Sequence, residues 1–216
     1  MLRPLSIVTG LICLAAAGTA HGQVAAPSVG YIHVGAAFVE QADDATLFAG
    51  GSEVPGAGFR TKTQVAPAIE GGLSVYQGFS IAAGLVAPAE TPNIAAGSLE
   101  GLGNLGDEKV GFATLTAQYH FIPGGNVSPY VGAGLGYMFV TDTDDGAVSD
   151  LDIDNAVGMA LQAGMDVRVS GPWGVYVDAK KLFIDTDASG LLGGAPITAE
   201  AKVNPWIIQA GVGYRF

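Results

Sequence analysis

The chain has 216 residues, 49% hydrophobic and only 13% charged, with 33 glycines, 11 prolines, one cysteine and a net charge of −11. It is too apolar for an acidic disordered tail, and too poor in charge and rich in glycine for a helical bundle or coiled coil. The negative charge excludes a nucleic-acid surface, and one cysteine excludes a disulfide or zinc framework.

Met1 to Gly22 reads as a secretory signal peptide, leaving 23–216 as a single domain. Arg3 supplies the positive start, Leu5 to Ala17 is an apolar run, and Gly18, Ala20 and Gly22 follow, so cleavage after Ala20 or after Gly22 fits. The run is shorter than the ~20 residues of a membrane-spanning helix. Cys13 follows Ile12, where a lipid attachment site wants a small residue.

Val110 to Thr141 carries no formal charge, but Ile122-Pro123-Gly124-Gly125-Asn126 interrupts it with turn chemistry. The pieces on either side suit tilted membrane strands of ~9–11 residues better than helices. Period-2 alternation then decides what the strands face. From Ala156 to Val169 one set is wholly apolar (Val157, Met159, Leu161, Ala163, Met165) and the other is small or polar (Gly158, Ala160, Gln162, Gly164, Asp166). A sheet between lipid and a lumen requires this split. A soluble sandwich strand alternates too, but its surface would need far more charge than this chain owns.

Eight strands are expected in chain order, at about 29–39, 64–76, 79–89, 110–121, 129–141, 156–169, 173–185 and 203–216. Short connections (Tyr76-Gln77-Gly78, Ile122 to Ser128, Ser170-Gly171-Pro172) alternate with long ones (Gln41 to Thr63, Glu90 to Lys109, Asp142 to Asn155, Asp187 to Lys202). Short turns on one rim and long loops on the other characterise outer-membrane barrels of Gram-negative bacteria. An open edge in lipid would leave backbone groups unpaired, so an all-β, eight-stranded antiparallel transmembrane β-barrel is expected, with both termini on the periplasmic rim. Phe79, Tyr119, Phe121, Trp173, Tyr214 and Phe216 would form the periplasmic aromatic belt. The C-terminal Phe216 is the expected handle for the outer-membrane barrel assembly machinery.

Val127-Ser128-Pro129-Tyr130-Val131-Gly132-Ala133-Gly134-Leu135-Gly136-Tyr137 resembles the fifth strand of the outer membrane protein W (OmpW) family. Ala117 to Phe121, Val175 to Lys181 and Asn204-Pro205-Trp206 through Gly211 to Phe216 resemble that family too. The resemblance covers most of the mature chain and is sharpest in the second half; the first two long loops are unusually rich in Gly and Ala. It implies an eight-stranded barrel with a narrow, mostly hydrophobic channel for passive uptake of small apolar molecules, with sideways release into the membrane.

Sorting inward residues by height gives two sets. Toward the outer rim lie Val39, Val86, Val110, Phe112, Met138, Val140, Ala156, Ala160, Val203 and Ile207, the candidate apolar lining. Toward the periplasm lie Gln118, His120, Asp166, Arg168, Asp178, Lys180, Gln209 and Arg215, with Glu70 somewhat higher, the candidate polar plug. An apolar funnel over a charged plug suits an apolar ligand entering from outside; the plainer reading is that small barrels fill their interiors with side chains. Proline cannot donate to a strand ladder. If Val75 pairs with Phe79, Pro67 lies opposite Ala87 and beside Pro88, which makes Pro67 and Pro88 candidates for a lateral opening between the second and third strands. Pro205 could weaken the last strand in the same way.

No catalytic constellation is expected: after processing only His33 and His120 remain as histidines, both placed in the lower lumen. Asp150-x-Asp152-x-Asp154 begins like a calcium loop, but Leu161 stands at the twelfth position in place of Glu. No metal or cofactor is therefore expected. The acidic loop is read as solvated, bridged loosely by divalent ions to lipopolysaccharide phosphates. The expected partners are outer-membrane lipid, lipopolysaccharide and small hydrophobic solutes, with no nucleic acid. The alternative function is a non-transporting structural or interaction barrel whose loops bind lipopolysaccharide, host or phage.

Overall fold

The structure, a computed structural model, describes residues 29–41 and 44–216, so the expected signal peptide lies outside the described residues. In chain order the strands are β1 (Gly30–Glu40), β2 (Asp44–Ala49), β3 (Ser52–Glu53), β4 (Ala57–Arg60), β5 (Gln64–Tyr76), β6 (Phe79–Gly97) and β7 (Asn104–His120). They continue with β8 (Val127–Asp145), β9 (Val148–Ile153), β10 (Ala156–Ser170), β11 (Trp173–Phe183), β12 (Asp185–Leu192), β13 (Ala195–Lys202) and β14 (Trp206–Arg215). Among the described residues the only helical element is a single 3-10 turn, Glu100–Leu102.

The eight expected strands are β1, β5, β6, β7, β8, β10, β11 and β14, each antiparallel to its sequence neighbours in the barrel. The first and last close the cylinder, from Tyr31 opposite Arg215 to Glu40 opposite Trp206. The backbone nitrogens of Val29 and Gly30 donate to Phe216 O at 2.6 and 3.0 Å, and Phe216 N returns a bond to Gly30 O. Closure leaves the lipid no open edge at this seam. A two-residue turn, Gln77 and Gly78, both with positive φ, joins β5 to β6, as tight hairpins of right-twisted strands require.

The alternation read from sequence is the alternation of the wall. Ile32, Val34 and Phe38 on β1, Val175 and Val177 on β11, and Val157, Met159 and Leu161 on β10 are exposed, while their neighbours in sequence turn inward. Near the periplasmic turns Phe79, Tyr119 and Phe121 meet in a row, tilted and then edge-on, with ring centroids 4.9 and 5.3 Å apart. Trp173 meets Tyr214 edge-on at 4.9 Å on the other side of the barrel.

The structure corrects the expected loops and strand ends. The long connections are folded: β3-β2-β13-β12-β9 form a second, five-stranded sheet above the barrel. The pairs that build it, β13 with β2 and β12 with β9, join segments far apart in sequence. The third strand runs on to Gly97 instead of ending near 89, and the fourth begins at Asn104, so β6 and β7 form one tall hairpin. Strand seven stops at Phe183, and β12 starts after Ile184. The last strand starts at Trp206, because Asn204 adopts positive φ and Pro205 follows it. A small core of Ala95, Leu105 and Val148, with Phe59, Leu151 and Ile197 against it, holds the upper layer together.

Candidate functional site

The lower interior is filled by one hydrogen-bonded network. Lys180, 1% exposed, forms ion pairs with Glu70 Oε2 at 2.9 Å and with Asp178. Gln162 Nε2 donates to Glu70 Oε2 at 3.0 Å and to Asp178 Oδ2 at 2.8 Å, while its own oxygen accepts from Gln118 Nε2 and Thr116 Oγ1. The Tyr31 hydroxyl lies 2.9 Å from Glu70 Oε1 and 2.7 Å from Gln118 Oε1; Tyr130 donates to Asp178 at 2.9 Å. A second tier lies closer to the periplasm. Asp166 sits 2.8 Å from His33 Nε2 and 3.0 Å from Arg215 Nη2, and the His33 ring stacks on Tyr176 at 4.1 Å. Buried charges are tolerated only when paired and bonded on several sides, as Glu70, Asp178 and Lys180 are.

Backbone glycines make room for this plug. A Cβ on Gly72 would strike the Tyr31 ring, and one on Gly164 would strike Tyr130 and Asp178. Tyr31 and Tyr130 therefore each lie over a bare stretch of wall on the neighbouring strand.

The proposed plug residues thus lie on two tiers, Glu70, Gln118, Asp178 and Lys180 in one and Asp166 and Arg215 in the other. Glu70, expected somewhat higher than the rest, is bonded to Tyr31, Gln118, Gln162 and Lys180. Arg168 stands apart: it is half-buried, its Nε has no partner among the described residues, and it lines a periplasmic recess beside His33, Asp166 and Arg215. His120 lies 3.3 Å from both Ser128 Oγ and Gln118 Oε1. Both histidines are engaged by the plug. Tyr31, Tyr130 and Tyr176 were missed in the sequence because aromatics were assigned to the lipid belt; their parity with His33, Met138 and Asp178 is the signal that places them inside.

Above the plug, Val39, Val86, Val110, Phe112, Met138, Val203 and Ile207 form one buried apolar cluster with Ala37, Ala160 and Leu182, and Val140 and Ala156 pack on it. These side chains touch one another, so at this height the interior is filled. Space opens higher up, in a cavity of about 90 Å³ between the cluster and the upper sheet. Met138 and Val203 face it from below, and Leu47, Phe59, Leu105, Val148 and Ile197 face it from segments the sequence reading treated as loops. Glu108 also faces it. Its strand rises past the exposed Lys109–Asp142 pair (3.1 Å) at the outer rim, and burial pushes its carboxyl up to about 7, with the Gln41 side chain acting the other way.

The wall beside this cavity is interrupted. The β5–β6 ladder runs from Tyr76 opposite Phe79 to Ala68 opposite Val86 and stops there. Tyr76, not the expected Val75, stands opposite Phe79, and an irregularity between Ser74 and Tyr76 then leaves Pro67 next to Ala87 just past the end of the ladder. β6 regains a partner on that side only at Ile94, opposite Arg60 of β4. On its other side β6 shifts register between Val86 and Ala89, around Pro88. Pro67 and Pro88 are both exposed. Pro205, in contrast, only precedes β14, and its carbonyl accepts from Leu182 N at 3.1 Å.

The acidic segment Asp150, Asp152 and Asp154 lies on and just after the extended β9, and among the described residues no three carboxylates or histidines converge as a metal set.

The profile described as the OmpW family matches residues 31–216. The dibenzothiophene metabolism operon protein PahQ of Pseudomonas aeruginosa is 29% identical over 214 residues, 99% of either chain. The outer-membrane protein y4mB of Sinorhizobium fredii is 47% identical over 107 residues, 48% of this chain and 46% of that protein, so the chain spans about half the length of that relative. Outer membrane protein AlkL of Ectopseudomonas oleovorans is 33% identical over 119 residues, 55% of this chain and 52% of that one. Among solved structures, OprG of Pseudomonas aeruginosa superposes with a TM-score of 0.82 at 22% identity, covering 88% of this chain and 97% of that one. AlkL in lipid bilayers superposes at 0.66 with 24% identity, covering 93% and 97%.

Proposed function

The chain belongs to the OmpW family of outer-membrane β-barrels, and on that premise we propose that it is a passive uptake route for small apolar molecules. The solute enters the upper cavity from outside, is halted by the packed cluster and the plug beneath it, and leaves sideways into the membrane between β5 and β6. The observation that carries this reading is the coincidence of an apolar chamber with an interrupted ladder at its side, above an interior sealed toward the periplasm. A hydrogen-bonded wall is the barrier to lateral exit, and among the described residues no strand pairing joins Ala87 to Pro92 on the β5 side. PahQ, similar along its whole length, is named for dibenzothiophene metabolism, and dibenzothiophene is a flat, apolar compound of the kind such a chamber suits.

The reading assigns the chain no bond-making step. It also takes the exposed Phe216, at the closing seam, as the handle for the barrel assembly machinery. The acidic upper hairpins are taken to meet lipopolysaccharide phosphates through divalent ions. The competing reading, a loop-binding barrel without transport, predicts that the seam is irrelevant. A Pro67→Cys/Ala87→Cys pair separates the two. Oxidation to the disulfide is expected to stop uptake of an apolar solute by cells carrying the protein, and reduction to restore it. Equal uptake in both states would overturn lateral release.

A further inference from the structure

The upper cavity has a single ionisable residue in its lining, Glu108, which is 7% exposed. Its cross-strand neighbours are neutral, Thr91 on β6 and Thr143 on β8. The charged residues at adjoining positions, Glu90, Asp107, Lys109, Asp142 and Asp144, have the opposite parity along their strands and belong to the outer face of the wall. Across the cavity the polar lining is Thr186, Ser189 and Thr198, also neutral, and Thr186 Oγ1 already donates to Asp154 O at 2.7 Å. Among the described residues only the neutral amide of Gln41 acts on the Glu108 carboxyl, and a carboxylate can accept about four hydrogen bonds.

The buried acids of the plug are handled differently. Glu70 and Asp178 share Lys180, and Asp166 lies between His33 and Arg215. Buried carboxylates ordinarily need such a cation. Glu108 has none among the described residues, and it faces a cavity where the plug acids face a packed network. A second observation bears on what could supply the charge. Ala188, Ser189, Thr198 and Ala199 line the cavity and also border a cleft in the upper sheet, which carries Asp152, Asp154, Asp187 and Glu200 and no basic residue. A negative surface of this kind concentrates cations near the cavity and turns anions away.

We propose that the cavity binds small apolar amines as their ammonium ions, the ammonium group held by the Glu108 carboxylate and the apolar body lying against Met138, Val148 and Val203. This rests on the uptake reading above and names a class of solute within it. A hydrocarbon gains nothing from Glu108, and an anion is repelled by it. An ammonium ion supplies the charge that the wall lacks. It arrives from water already protonated, the Glu108 proton leaves to water as it docks, and the cavity is neutral before and after. Burial keeps the free carboxyl protonated up to about pH 7, so amine binding strengthens as pH rises from 5 to 8.

The test is an NMR titration of the full chain in lipid nanodiscs with 3-methylbutylamine and with 3-methylbutan-1-ol, which has the same skeleton but no charge. Both are expected to shift the methyl signals of Met138, Val148 and Val203. The amine should bind about tenfold more tightly at pH 8 than at pH 5, and the alcohol within about twofold at the two values. Saturating amine should lower the titration midpoint of the Glu108 carboxyl carbon by about one unit, the counterpart of that tenfold. In a Glu108→Gln variant the amine should lose both its pH dependence and its advantage over the alcohol. Amine binding that ignores pH and leaves the Glu108 midpoint in place would overturn the proposal, and so would amine shifts confined to the cleft of Asp152 and Asp187. In either case methyl shifts with the alcohol would leave the uptake reading intact. Methyl signals of the cavity that respond to neither compound would overturn both. The wild-type midpoint decides the matter even if the variant does not fold.

Discussion

The two halves of the barrel interior solve the same packing problem with opposite chemistry. Below, Glu70, Asp178 and Lys180 are buried among amides and tyrosyl hydroxyls, and large rings lie over glycines. Above, aliphatic side chains pack on one another and then part to leave a cavity. The lower half gains rigidity, because Glu70, Gln118, Gln162, Asp178 and Lys180 each bond to more than one partner. The upper half is held mainly by non-directional contacts, which yield to a solute of similar polarity at little cost. Under the proposed uptake role the seal falls at the first and the passage at the second.

The largest effect expected from breaking this contrast is at Lys180. Lys180→Met leaves two carboxylates facing each other without their cation, and removing one partner of a buried pair costs about 3–5 kcal/mol. Denaturant unfolding from lipid vesicles checks this. Restoring stability with Glu70→Gln and Asp178→Asn in the same chain would show that charge, not volume, is responsible.

Glu108 sharpens the comparison from the other side, since burial raises its carboxyl from about 4.5 to about 7 with no cation to hold the charge. The folded state favours the neutral acid, so the contribution is fully present below pH 4.5 and is lost as pH rises through 7. Over that window stability should fall by about 2–3 kcal/mol. Glu108→Gln should flatten the profile, as read from unfolding midpoints between pH 5 and 8. A smaller effect is expected at Gly164: Gly164→Ala pushes a methyl group into Tyr130 and Asp178 and should cost about 1–3 kcal/mol. The same change at Gly171, in a periplasmic turn where nothing lies within reach, meets no clash and suffers only its positive φ.

The barrel itself was legible because its signals are local. Alternation with period two, the Gln77-Gly78 and Gly171-Pro172 turns, and the contrast of long and short connections all lie within a few residues. The turn register itself was off by one, with Tyr76 and not Val75 opposite Phe79, and an irregularity between Ser74 and Tyr76 restores the offset that sets Pro67 beside Ala87. The upper sheet was not legible, because β13 pairs with β2, and β12 with β9, across some 40 to 150 residues of chain. In the Gly- and Ala-rich β4 and β6 segments, composition says loop while tertiary pairing makes strand. For the same reason the cavity was invisible: most of its wall comes from β2, β9, β12 and β13 of the upper sheet. The plug was half legible. Parity exposed its charged members, whereas Tyr31 and Tyr130 were obscured by the expectation that barrel aromatics face lipid.

The most direct test of the central claim is to locate a hydrocarbon inside the protein. Intermolecular NOEs from α-methylstyrene to the full chain in lipid nanodiscs should appear at the methyl groups of Leu47, Met138, Val148 and Val203 and be absent at the rings of Tyr31 and Tyr130. NOEs to those tyrosine rings, showing that solute passes through the plug, would contradict the account.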